Sequence, residues 1–168
     1  MVGFKVLWDN HPTITGDDNP CSTEGKRNYH NQCAIRMGTC LAKCDVDTTK
    51  IPGVTHCSYH EKSQGHTIRA EELAIGLTKH QIAGIQKMQE IDPKEFKNVL
   101  NGKTGIIFFK DYWQRSGERN RSGDHIDLWN GSRLTHWVTW IRIQWGISID
   151  GYWSDYKRSQ SIWFWRVI

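Results

Sequence analysis

Two short stretches of this chain hold residues that could do chemistry together. The first is Asn31-Gln32-Cys33-Ala34-Ile35-Arg36-Met37-Gly38. It follows a polar, turn-prone run, so Cys33 is placed at the mouth of a helix. A helix N-terminus carries partial positive charge and unpaired N–H groups, and both favour a thiolate over a thiol. The second stretch is Gly123-Asp124-His125-Ile126-Asp127-Leu128-Trp129-Asn130-Gly131. It reads as a half-buried strand that presents His125. A thiol on an early helix and an imidazole on a later strand can form a nucleophile and its general base.

Strand alternation sorts the second stretch. His125 and Asp127 share one face, while Ile126 and Leu128 share the other. A third group must orient the imidazole. His136 follows the Asn130-Gly131 turn and can return beside His125 on a neighbouring strand. Asp127 lies two residues along the same strand, about 7 Å away by strand rise, which is less natural for a bond to the ring. Asp124, Asp150 and Asp155 are further acids in the same half of the chain.

The elements that must position these residues are legible in part. Residues 4–8 form a short first element, and residues 9–32 are rich in turn formers. A helix is expected from about Cys33 to Lys43, with Met37, Cys40, Leu41 and Cys44 as its buried stripe. Gly38 inside that helix suggests close packing on another backbone. Thr67 reads as the cap of a second helix with Glu71 and Glu72 in its first turn. Residues 78–91 are expected to add another helical piece, and Asp92-Pro93 to open a further short helix. From Thr104 the period changes. Gly105–Lys110 is a continuous apolar run, the mark of a buried central strand. Residues 111–122 read as a basic loop, the His125 strand follows, and Asn130-Gly131 is a hairpin signal. A strand-rich segment containing Trp137, Trp140 and Trp145 comes next, and residues 161–168 close the chain as a strand. Helices first and strands second predict an α+β fold, a helical part packed on an antiparallel sheet.

Composition bounds the function. A chain of 168 residues with 24% charged residues suits one globular domain, residues 1–168. The net charge of +4 comes without a long basic run or a basic-aromatic stripe, so nucleic-acid binding has little support. No apolar stretch is long enough for membrane insertion, and the N-terminus lacks the pattern of a cleaved signal peptide. The nine tryptophans suit core packing first and a ligand platform second. Cys40-x3-Cys44 with His56-Cys57-x2-His60 offers residue types that bind zinc, but the spacing matches no standard finger. Core packing of these residues is therefore the first reading and a zinc site the minor one, and no metal is assigned to the site.

The two blocks around Cys33 and His125, with Ser154-Asp155-Tyr156 and Ile162-Trp163-Phe164-Trp165 near the end, resemble the fourth family of type VI secretion amidase effectors. The resemblance implies a papain-like, NlpC-type peptidoglycan amidase without cofactors. Such toxins leave the producer through the type VI secretion machinery and act in the periplasm of a rival bacterium. They cut between D-glutamate and meso-diaminopimelate, and a cognate immunity protein protects the producer. Carried onto this chain, Cys33 is the nucleophile and His125 the base. In some relatives an aspartate stands where this chain has His136. Histidine often fills the third role in related enzymes, so His136 is the first expectation for that role and Asp127 the second. The N–H of Cys33 is expected to help bind the oxyanion. The other class of function compatible with the sequence is a non-catalytic cell-wall or protein-binding module, with the tryptophans as its platform.

Overall fold

A computed structural model describes residues 1–113, 123–136 and 159–168. Helices α1 (Phe4–Asn10), α2 (Pro12–Thr15), α3 (Cys33–Lys43), α4 (Ala70–Lys79) and α5 (Phe96–Val99) join six strands. These are β1 (Ser22–Thr23), β2 (Lys26–Arg27), β3 (Ile85–Ile91), β4 (Thr104–Trp113), β5 (Gly123–Asn130) and β6 (Ser161–Val167). The first two strands make a small hairpin, and the other four form one antiparallel sheet in the order β3-β6-β4-β5. The α+β fold expected from the sequence is the one observed.

The sheet buries both faces. On one, Ile106, Phe108, Ile126, Leu128 and Trp165 pack with Met37, Leu41, Leu73 and Leu77 of α3 and α4. On the other, Ile107, Phe109, Trp129, Ile162 and Phe164 pack with Phe96, Leu100 and Leu134. Burying each such side chain contributes about 1.5–3 kcal/mol. The strand that carries His125 is therefore pinned on both sides. Trp129 adds a hydrogen bond from Nε1 to Leu100 O, 3.0 Å. Trp129 and Trp165 are thus core residues, whereas Trp137, Trp140, Trp145 and Trp153 lie outside the described residues, as do Asp150 and Asp155.

Helix α3 has the bounds its sequence predicts, and its stripe of Met37, Cys40 and Leu41 is fully buried. Cys40 and Cys44 donate to the carbonyls of Leu7 and Val6, so these thiols tie α3 to α1. Gly38 explains itself. A Cβ there would sit 2.1 Å from Gly65 O and 2.6 Å from Thr67 Oγ1. That close approach brings the 62–67 segment onto α3.

Three expectations need correction. Thr67 caps no helix: α4 starts at Ala70, and the Thr67 hydroxyl instead donates to Ala34 O at 2.7 Å, inside the core. Residues 85–91 are not helical. Ile-Gln-Lys-Met-Gln-Glu-Ile is rich in helix formers, but it pairs with β6 as the outer strand of the sheet, and that tertiary pairing overrides a weak local preference. Residues 9–32 are not wholly loop, since α2 and the β1–β2 hairpin lie within them.

Gly38→Ala tests the close approach. Helix propensity alone would stabilise the protein by about 1 kcal/mol. The clash is expected to reverse the sign, with a loss of about 1–3 kcal/mol read from the urea midpoint. An unchanged or raised midpoint would contradict the packing described.

Candidate active site

Cys33 is the first residue of α3, and the Gln32 carbonyl accepts the first helical bond from Arg36 N at 2.8 Å. Gln32 itself is buried. Its side chain accepts from Cys21 N and donates to Cys21 O, both at 3.0 Å. This double clamp fixes the residue just before the thiol. Cys33 N–H donates to Asn31 Oδ1 at 3.1 Å. The amide expected to bind an oxyanion is thus held by an exposed side chain.

His125 comes to the thiol from the edge strand β5. Its ring lies against Phe109, the residue opposite it in β4, with centroids 6.4 Å apart. The Cys33 Sγ lies 3.9 Å from Asp124 O. Burial alone would push the Cys33 thiol up, yet its hydrogen bond to His125 and that ring's charge bring it below the ordinary range. Burial would likewise lower His125, but hydrogen bonds to Asp127 and Cys33 raise it to about 9. These opposite shifts have one physical cause, since each group favours the charged form of the other.

Among the described residues, Asp127 is the acid that stands nearest the His125 ring. Its Oδ2 lies 3.5 Å from His125 Nε2, which leaves Nδ1 as the ring nitrogen available to the sulfur. The two side chains lean toward each other on one face, so they come closer than the strand rise alone suggests. Asp127 is 3% exposed. Burial would raise its pKa, but its partners hold it down to about 2. Its Oδ1 accepts from Thr135 Oγ1 at 2.6 Å and from Leu128 N at 2.7 Å.

His136 lines the same cleft as Cys33, His125 and Asp127, a cavity of about 200 Å³. It is Thr135, not His136, whose side chain reaches the Asp127 carboxylate. The turn before it is as expected in place but not in form. Asn130 Oδ1 accepts from Ser132 N and Arg133 N, and Trp129 bridges Leu134. Arg36 also lines the cleft and lies 3.9 Å from Asp18 Oδ1.

His11 is a cleft residue that sequence reasoning missed. It sits between α1 and α2, 2% exposed, with Nε2 at 3.7 Å from Asp127 Oδ1. Burial lowers its pKa to about 4, only partly opposed by Asp127. Its Nδ1 accepts from Thr13 N at 3.3 Å, so the proton is on Nε2, facing the carboxylate. The signal was present: His11-Pro12 is a capping residue followed by proline at the first helical position.

A helix-borne thiol thus stands against a strand-borne imidazole in an α+β chain with an antiparallel sheet. The sequence model of the family described as "Type VI secretion system (T6SS), amidase effector protein 4", or Tae4, matches residues 29–165. The chain belongs to this family of peptidoglycan amidase effectors. A crystal structure of the type VI effector–immunity complex Tae4–Tai4 from Enterobacter cloacae is similar in fold, with TM-score 0.59 and 18% identity over 100% of both chains. A search among curated protein sequences gave no significant match.

The orienting residue can be tested by alkylating the protein at pH 6 and mapping modified Cys33 by mass spectrometry. A normal thiol would be ionised well under about 1% there. Asp127→Asn is expected to slow Cys33 modification by about tenfold or more, and His136→Ala by less than about threefold. The opposite ranking would assign the orienting role to His136.

Proposed function

We propose that this protein is a cysteine amidase that cuts the bond between D-glutamate and meso-diaminopimelate in peptidoglycan stem peptides. The observation that carries the proposal is the chain of contacts from Cys33 through His125 to Asp127 along one cleft. In this reading Asp127 holds the imidazolium in place, in preference to His136, which faces substrate from the cleft wall. The Leu128 N–H and the Thr135 hydroxyl keep the carboxylate aimed and ionised.

The thiolate attacks the γ-carbonyl of D-glutamate, and a C–S bond forms as the carbonyl π-electrons move to oxygen. The oxyanion takes the Cys33 N–H from the exposed Asn31 side chain, whose Oδ1 marks where a negative oxygen is accepted. The positive end of α3 adds to that stabilisation. His125 then gives its proton to the departing amine of diaminopimelate, and the C–N bond breaks. Water, deprotonated by His125, releases the acyl group and restores the thiolate. Arg36, on the cleft wall, is placed to meet a stem-peptide carboxylate.

Family membership supports export by a type VI secretion system and action on the peptidoglycan of a target cell. The similar structure is an effector–immunity complex, which supports a cognate immunity protein for this chain as well.

Digestion of diaminopimelate-type peptidoglycan, with products read by mass spectrometry, tests the proposal. The wild type is expected to release fragments newly ending in D-glutamate, and Cys33→Ala none. Cleavage at another bond would overturn the assigned substrate. Intact muropeptides from folded wild type would overturn the amidase reading and favour a binding module.

A further inference from the structure

Away from the cleft, a second group of reactive side chains converges. Cys21, Cys57, His60 and His66 each turn one ligand atom inward, and these four atoms all lie within 4.8 Å of one another. Cys21, Cys57 and His66 are buried and His60 is half-buried. We propose that these four residues form a structural Zn²⁺ site of the Cys₂His₂ type.

The geometry argues for a metal over a chance cluster. A tetrahedral centre with Zn–S of about 2.3 Å and Zn–N of about 2.0–2.1 Å places sulfur and nitrogen ligands about 3.5–3.6 Å apart. The distances here are 3.5 Å from Cys21 Sγ to His60 Nδ1, 3.6 Å from Cys57 Sγ to His60 Nδ1, and 3.6 Å from Cys57 Sγ to His66 Nδ1. Three edges of the tetrahedron are thus already in place. Two thiolates and two imidazoles suit zinc by softness and charge, and four protein ligands close the coordination shell. On binding, the two thiols release their protons to solvent, and the site becomes neutral overall.

This quartet differs from the set of five residues the sequence suggested. Cys40 and Cys44 are engaged with α1, and His56 Nε2 pairs with Thr48 Oγ1 at 2.9 Å. Cys21 and His66 take their places, brought in by the fold from distant points in the chain.

The site has a mechanical consequence. Cys21 is the residue whose N–H and carbonyl clamp Gln32, and Cys57 N donates to His66 O at 2.8 Å. Zinc would bind the segment before α3 to the loop containing Cys57, His60 and His66. It would thereby hold the residue preceding Cys33 without touching the cleft itself. Closed coordination also makes this metal a structural support and not a Lewis acid for the reaction.

The test uses full-length Cys33→Ala protein, which removes the cleft thiol as a rival ligand, purified under reducing conditions. Metal analysis after dialysis is expected to give about one zinc per chain, and cobalt replacement a tetrahedral spectrum with thiolate-to-metal charge transfer. Cys57→Ser and His66→Ala should lower zinc content, while Cys44→Ser should retain it in full. Chelation of the otherwise unchanged protein should lower its Tm, and added zinc should restore it. Absence of zinc, an octahedral cobalt spectrum, or a Cys21–Cys57 disulfide in metal-free protein would each overturn the proposal. Because these readouts do not involve peptidoglycan, they stand apart from the test of the amidase reading.

Discussion

The buried carboxylate of Asp127 is the constraint around which the rest is arranged. A carboxylate removed from water is costly unless it is charge-paired and hydrogen-bonded. Here the hydrogen bonds come from two parts of the chain. Leu128 N belongs to β5 itself and Thr135 to the segment returning after the Asn130 turn, while the His11 ring stands 3.7 Å away at the joint of α1 and α2. The remaining oxygen faces His125. The carboxylate therefore both organises its surroundings and fixes the charge state of the imidazole. That imidazolium in turn stabilises the Cys33 thiolate against the cost of its own burial.

The sign of each shift sets where this arrangement holds. Asp127 has a folded pKa below its unfolded value, so its stabilisation is present above about pH 4 and is lost as pH falls through about 2. His125 has a raised folded pKa. Its contribution is complete below about pH 6.5 and is lost as pH rises through about 9. Between these limits an ionised Asp127 faces a protonated His125. The surrounding scaffold keeps it that way by packing. Strand β5 lies on the sheet's edge but is held by Ile126 and Leu128 on one face and Trp129 on the other. Arg133 stacks 4.8 Å over Trp8 and so links the turn after β5 to α1.

Much of this was legible in sequence where local signals agree with tertiary structure. The start of α3 combines a polar run with a stripe of apolar residues, and the bounds of that helix match. The apolar runs at 105–110 and 161–168 became the two inner strands, β4 and β6. Legibility failed where tertiary contacts decide. Strand β3 carries helix-forming side chains and owes its state to β6. Thr67 has the look of a cap but bonds across the core. Asp127 could be seen on the right face, yet its contacts with Thr135 and His11 arise from parts of the chain that only folding brings together. The quartet of Cys21, Cys57, His60 and His66 was hidden for the same reason, because its members are scattered through the sequence.

The central claim is that Cys33 and His125 form an ion pair held by Asp127. It is tested most directly by NMR titration of the His125 imidazole, selectively labelled, in the wild type and in Cys33→Ala. The account predicts a wild-type ring that titrates near 9 and a clear fall in that value once the thiolate is removed. A wild-type His125 that titrates near its ordinary value of about 6.5, unmoved by Cys33→Ala, would show a neutral pair and contradict the account.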